Sequence, residues 1–86
     1  MQRPWVSSPS YEEAIAVIIR ARKDRGFSQD ELAKRLGKHQ SFVAKIETRQ
    51  RRLDIVEFIV VARALDIDPA NLLNSIIAEL KSPVVF

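Results

Sequence analysis

Three times in this chain a short polar residue stands three places before a glutamate: Ser10 with Glu13, Ser28 with Glu31, and Asp54 with Glu57. Each is a capping box, in which the first side chain satisfies the amide three residues on and the glutamate reaches back to the first backbone N–H. Asp68-Pro69 marks a further helix start, because proline suits the first helical position. The only glycines, Gly26 and Gly37, supply stops, since glycine takes the left-handed conformation just past a helix end without steric cost. With Pro83 as the last stop, residues 10–82 divide into five helices and short turns, with no room for a long loop. The expectation is an all-α, compact five-helix domain.

Apolar spacing agrees with the punctuation. The first helix is expected from Tyr11 to Gly26, with Ala14, Val17, Ile18 and Ala21 on its inner face and Arg22, Lys23 and Arg25 favouring its C-terminal end. A second runs from Gln29 to Gly37 over Leu32, Ala33 and Leu36, and a third from about Gln40 to Thr48 over Phe42, Val43 and Ile46. Residues 55–61 are β-branched enough for a strand. The cap at Asp54 and the spacing of Phe58, Val61, Ala62 and Leu65 favour a fourth helix. The fifth opens at Pro69, carries Leu72, Leu73, Ile76, Ile77 and Leu80, and is expected to stop at Pro83. Residues 1–9, with two prolines and two serines, read as a flexible N-terminal arm, and residues 83–86 as an apolar tail.

Composition narrows the function. Eighty-six residues make one domain. The absence of cysteine excludes disulfides and thiolate zinc sites, and a lone histidine makes a histidine metal cluster implausible, so neither metal nor cofactor is expected. No run approaches the ~18 apolar residues of a membrane span, and no signal-peptide core opens the chain. A reducing cytoplasm fits these features. Charge is unevenly spread. Residues 34–52 hold seven of the fourteen basic residues and one of the eleven acidic ones, a local +6 against −3 elsewhere. Such a stripe is the footprint of a polyanion binder, although a solvated surface with uneven charge fits it as well. No phosphate-cradling glycine loop, metal cluster or credible triad suggests an enzyme.

The second and third helices, joined through Gly37, form a helix-turn-helix. Gly37 accepts the positive φ of the turn, Ala33 lets the helices approach, and Val43 and Ile46 lock the third helix onto the core. Ser28-Gln29-Asp30-Glu31-Leu32-Ala33-Lys34-Arg35-Leu36-Gly37 followed by Gln40-Ser41-Phe42-Val43-Ala44-Lys45-Ile46-Glu47 resembles the motif of the lambda-repressor-like, Cro/XRE-type DNA-binding proteins. Residues 51–58 and 62–68 are similar to that family's fourth helix and the link to its fifth, so the resemblance covers roughly residues 15–73.

The resemblance implies a five-helix bundle whose third helix enters the major groove of double-stranded DNA. Gln40, Ser41 and Lys45 fall where the family reads base edges. Gln29 falls where it meets a phosphate, and the loop that grips the backbone offers Arg49, Arg51 and Arg52, with Lys38 as a further phosphate contact. Arg22 and Glu47 occupy positions that the family often pairs, and count as structural. Two departures stand out. Thr48-Arg49 replaces the usual Asn-Gly, so either the third helix runs on or Arg49 tolerates a positive φ. His39 stands where a hydroxyl residue commonly caps the recognition helix. Glutamine can bond bidentately to adenine and lysine to guanine, each discriminating by roughly 1–3 kcal/mol. Spacing alone fits a plain solvated helix face equally well. Phe42 reads either as a probe of a thymine methyl or as a packing residue.

The apolar surplus of Leu73, Ile76, Ile77, Leu80, Val84, Val85 and Phe86 suggests a homodimer contact; packing of the fifth helix onto the first and fourth is the alternative. The leading expectation is a dimeric, sequence-specific transcriptional repressor on a palindromic operator. An antitoxin-type regulator with a toxin partner, a restriction-modification controller, and a helical interaction module without a DNA target remain the alternatives.

Overall fold

The computed structural model describes residues 8–80 together with Pro83 and Val84, and the described backbone forms α1 (Pro9–Asp24), α2 (Gln29–Leu36), α3 (Gln40–Glu47), α4 (Ile55–Ala64) and α5 (Pro69–Glu79). The capping boxes at α2 and α4 close in both directions. Glu31 N donates to Ser28 Oγ at 3.1 Å and Ser28 N to Glu31 Oε1 at 3.0 Å. Glu57 N donates to Asp54 Oδ1 at 2.7 Å and Asp54 N to Glu57 Oε1 at 3.0 Å. The β-branched run from Ile55 is therefore helical: two satisfied end amides and the burial of Val61 and Ala62 outweigh a propensity deficit of about 0.5 kcal/mol per residue.

Two boundaries differ from expectation. The third box does not set the start of α1. Pro9 occupies the first turn with its φ already helical, and Ser8 Oγ accepts from Tyr11 N at 3.2 Å, so the helix begins two residues earlier and Ser10 is buried inside it. At the other end, Leu80 is extended at ψ 132° and accepts the role of stop, well before Pro83. Of the expected arm, residues 1–7 lie outside the described residues, as do Val85 and Phe86 of the expected dimer surface.

Four helices share one C-terminal closure, in which a residue at positive φ donates to the carbonyl three back and its successor to the carbonyl five back. Gly26 and Phe27 close α1 onto Lys23 (2.9 Å) and Arg22 (3.1 Å), and Gly37 and Lys38 close α2 onto Lys34 (3.1 Å) and Ala33 (2.9 Å). Arg49 and Gln50 close α3 onto Ile46 (3.1 Å) and Lys45 (2.8 Å), and Asp66 and Ile67 close α4 onto Arg63 (3.0 Å) and Ala62 (2.9 Å). The open alternative at Thr48-Arg49 is thereby decided: the helix stops, and Arg49 sits at φ 62°. Gly37 has φ 68°, and a Cβ built there meets nothing within 4 Å. Gly37→Ala is thus expected to cost only the left-handed strain, about 1–2 kcal/mol, with no steric clash. Denaturant unfolding measures this, and a loss beyond about 3 kcal/mol would mean that the turn is tighter than its backbone indicates.

Helix α2 packs on α3 and α4, α1 on α5 and α3, and α4 on α5. Leu32 and Ala33 from α2, Val43 and Ile46 from α3, Val61 and Ala62 from α4, and Leu65 meet Ile15, Val17 and Ile18 from α1 and Leu72 and Ile76 from α5. The inner face of α1 is centred on Ile15, Ile18 and Arg22, while Ala14 and Ala21 are only half-buried. Val17 and Ile18 lie on the buried side as expected, and Ile15 and Arg22 join them. Ile76, expected at a dimer surface, belongs to the core, and Leu80 is half-buried against it. No helix among the described residues is long and apolar enough to cross a membrane.

Candidate nucleic-acid interface

Helix α3 is two turns long and is held from beneath by Val43 and Ile46, which are 2% and 4% exposed. That leaves Gln40, Ser41 and Lys45 exposed to solvent. Its start is capped by no side chain, because His39 makes no cap hydrogen bond. Phe42 is half-buried, with the Lys38 ammonium 5.4 Å and the Arg51 guanidinium 4.9 Å from its ring centroid. It is therefore a packing residue that steadies two cations beside α3.

A hydrogen-bond relay ties the exposed face to the core. Arg22 Nε and Nη2 donate to the two Glu47 carboxylate oxygens at 2.7 and 3.0 Å, and Arg22 Nη1 donates to the Phe27 carbonyl at 2.6 Å. Both side chains are under a tenth exposed. Gln29 Nε2 donates to Glu47 Oε1 at 2.8 Å, and Gln40 Nε2 donates to Gln29 Oε1 at 2.7 Å. The direction follows from chemistry. An ionised carboxylate only accepts, so Gln29 must offer Glu47 its amide nitrogen and present its carbonyl to Gln40. Gln40 is left with its carbonyl oxygen and second N–H outside the relay, the acceptor and donor that an adenine edge requires.

The expected phosphate contacts are less alike than the sequence suggests. Arg51 forms a bidentate pair with Glu57, at 3.0 and 2.9 Å, so its charge is already offset. Arg49 lies against α1, its Nη2 3.2 Å from Glu12 Oε1. Arg52 is exposed, with its guanidinium 4.7 Å from the ring centroid of Tyr11, whose hydroxyl accepts from Leu53 N at 3.0 Å. Lys38 is exposed beside Phe42, and the amide of Gln29 is engaged in the relay. The structure thus brings Gln29, Gln40, Arg22 and Glu47 together. Leu73 and Ile77 stand apart on α5, 48% and 58% exposed. Glu12 and Tyr11 escaped the sequence reading. Nothing in the pattern signals that residues about forty positions upstream brace this loop.

The Glu57 carboxyl is held below the usual range, first by its hydrogen bonds from Arg51 and then by that from the Asp54 backbone. A carboxylate depressed on folding stabilises the native state above its unfolded pKa, about 4.3. That contribution fades as pH falls through the lower folded value. Melting of the wild type is therefore expected to soften below about pH 4. Glu57→Gln should remove this part of the acid sensitivity, worth at most about 1 kcal/mol for a partly exposed pair. Identical acid profiles for the two proteins would contradict it.

A helix-turn-helix family model matches residues 18–72. Among solved structures, the chain is similar to an XRE-family like protein from Pseudomonas syringae pv. tomato str. DC3000, at 42% identity, covering 80% of this chain and 84% of that one, with a TM-score of 0.76. It is similar to the restriction-modification controller protein C.AhdI from Aeromonas hydrophila at 32% identity, covering 72% and 94%, with a TM-score of 0.65. The clp gene regulator ClgR from C. glutamicum, at 19% identity over 85% and 95% with a TM-score of 0.74, shares the fold. No curated protein sequence matches the chain.

Proposed function

The chain belongs to the helix-turn-helix family of DNA-binding transcriptional regulators, and from that premise we propose that it is a repressor that binds a palindromic operator as a homodimer in the cytoplasm. Gln40, Ser41 and Lys45 read base edges, while Lys38 and Arg52 hold phosphates. The observation that carries this reading is the relay from the Arg22–Glu47 pair through Gln29 to Gln40. A surface glutamine on a merely solvated helix has no need of a buried anchor. Here its amide is oriented before DNA arrives, which lowers the ordering cost of recognition.

A homodimer is supported by exposed apolar side chains away from α3. Ile55 and Leu73 line a groove of about 300 Å³ between α1, α4 and α5, and Ile77 lies one turn beyond Leu73. Paired modules would place two recognition helices about 34 Å apart. Sedimentation of the wild type, of Leu73→Asp with Ile77→Asp, and of a chain ending at Lys81 tests this part. A monomeric wild type at tens of micromolar would remove it.

A second reading, a restriction-modification controller, is favoured by the 32% identity to C.AhdI. Selection of bound sites from a random duplex library tests both. A symmetric site is expected, whose affinity falls steeply with salt. Recovery of no preferred sequence would reject sequence-specific regulation and leave an interaction module.

A further inference from the structure

Three features set Arg49 apart from Arg51 and Arg52 in the same loop. Its backbone is left-handed at φ 62°, a conformation that residues bearing a Cβ resist. Its Nε is buried with no hydrogen-bond partner. Its Nη2 is held 3.2 Å from the Glu12 carboxylate in the first turn of α1, with the Arg49 side chain 32% exposed. The guanidinium therefore faces α1, and its stem is laid along the protein. Reaching a phosphate would require it to leave both the carboxylate and its packed position. The geometry points to Glu12 as a positioning residue that holds Arg49 in reserve and limits the phosphate grip of the loop after the recognition helix.

This inference rests on the DNA-binding reading and refines it. An exposed ion pair is weak in water. What confines Arg49 is the pair together with the burial of its Nε, in a side chain only 32% exposed. Tyr11, the neighbour of Glu12, receives the Leu53 amide and lies under Arg52, so the first turn of α1 anchors the loop at three places. Loop affinity is thereby set by residues that need never touch DNA. Arg52 and Lys38 supply the sequence-independent attraction, and Arg49 adds to it only when Glu12 releases it.

The test is a double-mutant cycle. A labelled duplex of mixed sequence, about 30 base pairs long, is titrated with each protein across ~50–200 mM KCl, and the slope of log affinity against log salt is read. Arg49→Ala alone is expected to leave the wild-type slope unchanged. Glu12→Gln should tighten binding several-fold and steepen the slope by about 0.9, the value of one added phosphate contact. Arg49→Ala combined with Glu12→Gln should return it to the wild-type slope. Helix content by circular dichroism confirms that each variant is folded. A shallower slope from Arg49→Ala alone overturns the inference, because Arg49 would already be on a phosphate. A gain from Glu12→Gln that survives Arg49→Ala also overturns it, because it would reflect only the removed charge. A wild type that binds no duplex defeats the DNA-binding reading itself, whereas a wild type that binds with unaltered variants defeats this inference alone.

Discussion

Glu47→Ala is expected to destabilise the protein by about 3–5 kcal/mol, the cost of leaving a buried guanidinium without its partner. Arg22 would keep only the Phe27 carbonyl at 2.6 Å, with Nε and Nη2 stranded in a site under a tenth exposed. For a domain of this size, with a total stability of roughly 5–15 kcal/mol, such a loss brings unfolding close to ambient temperature. Urea unfolding followed by circular dichroism reads the change, and a loss below about 1 kcal/mol would show that solvent reaches the pair freely. The paired replacement Arg22→Met with Glu47→Leu should come out near neutral, since a buried ion pair exchanged for apolar side chains often does. It nonetheless removes the acceptor that holds Gln29. The variant should therefore fold, bind DNA with an ordinary salt slope, and discriminate less well at the base pair that Gln40 reads. A folded variant with undiminished discrimination would separate the relay from recognition.

Replacing Gln40 and Lys45 together by alanine is expected to have the largest effect on recognition. Each bidentate base contact discriminates by about 1–3 kcal/mol, and separate positions add approximately. The double change should erase about 2–6 kcal/mol of the difference between operator and random duplex, about half of the usual specificity margin. Stability should barely change, because both side chains are exposed. Affinity for random DNA should drop only by the phosphate share of Lys45. Competition binding at fixed salt measures the ratio. An equal loss on operator and random duplex would reassign Lys45 to the backbone and leave Gln40 without a role as reader.

The helices were legible because the signals that start and stop them are local. Ser28, Asp54 and Asp68 cap the amides directly after them, and Gly26 and Gly37 take a conformation that needs no tertiary support. Where the start of α1 was misplaced, two local signals competed. Ser10 lost to Ser8 because Pro9 had already set the first helical φ. The ends of α3 and α4 carry no glycine, yet Arg49 and Asp66 adopt the same left-handed closure. Contacts across the turn, such as Arg35 donating to Ala64 O at 3.0 Å and to Asp66 at 3.1 Å, help hold the chain there.

By itself, the sequence determined five helices, their order, the turn between α2 and α3, and which face of α3 meets water. These follow from periodicity and capping, which act over three or four residues. The tertiary structure alone decided which charges are available. It turned Arg49 onto Glu12 and Arg51 onto Glu57, moved Ile76 into the core, and linked Gln40 through Gln29 to the Arg22–Glu47 pair that the family resemblance implied. The reason is physical. An isolated side chain's charge is a property of its residue, whereas its partner is set by elements that meet only after the chain has packed.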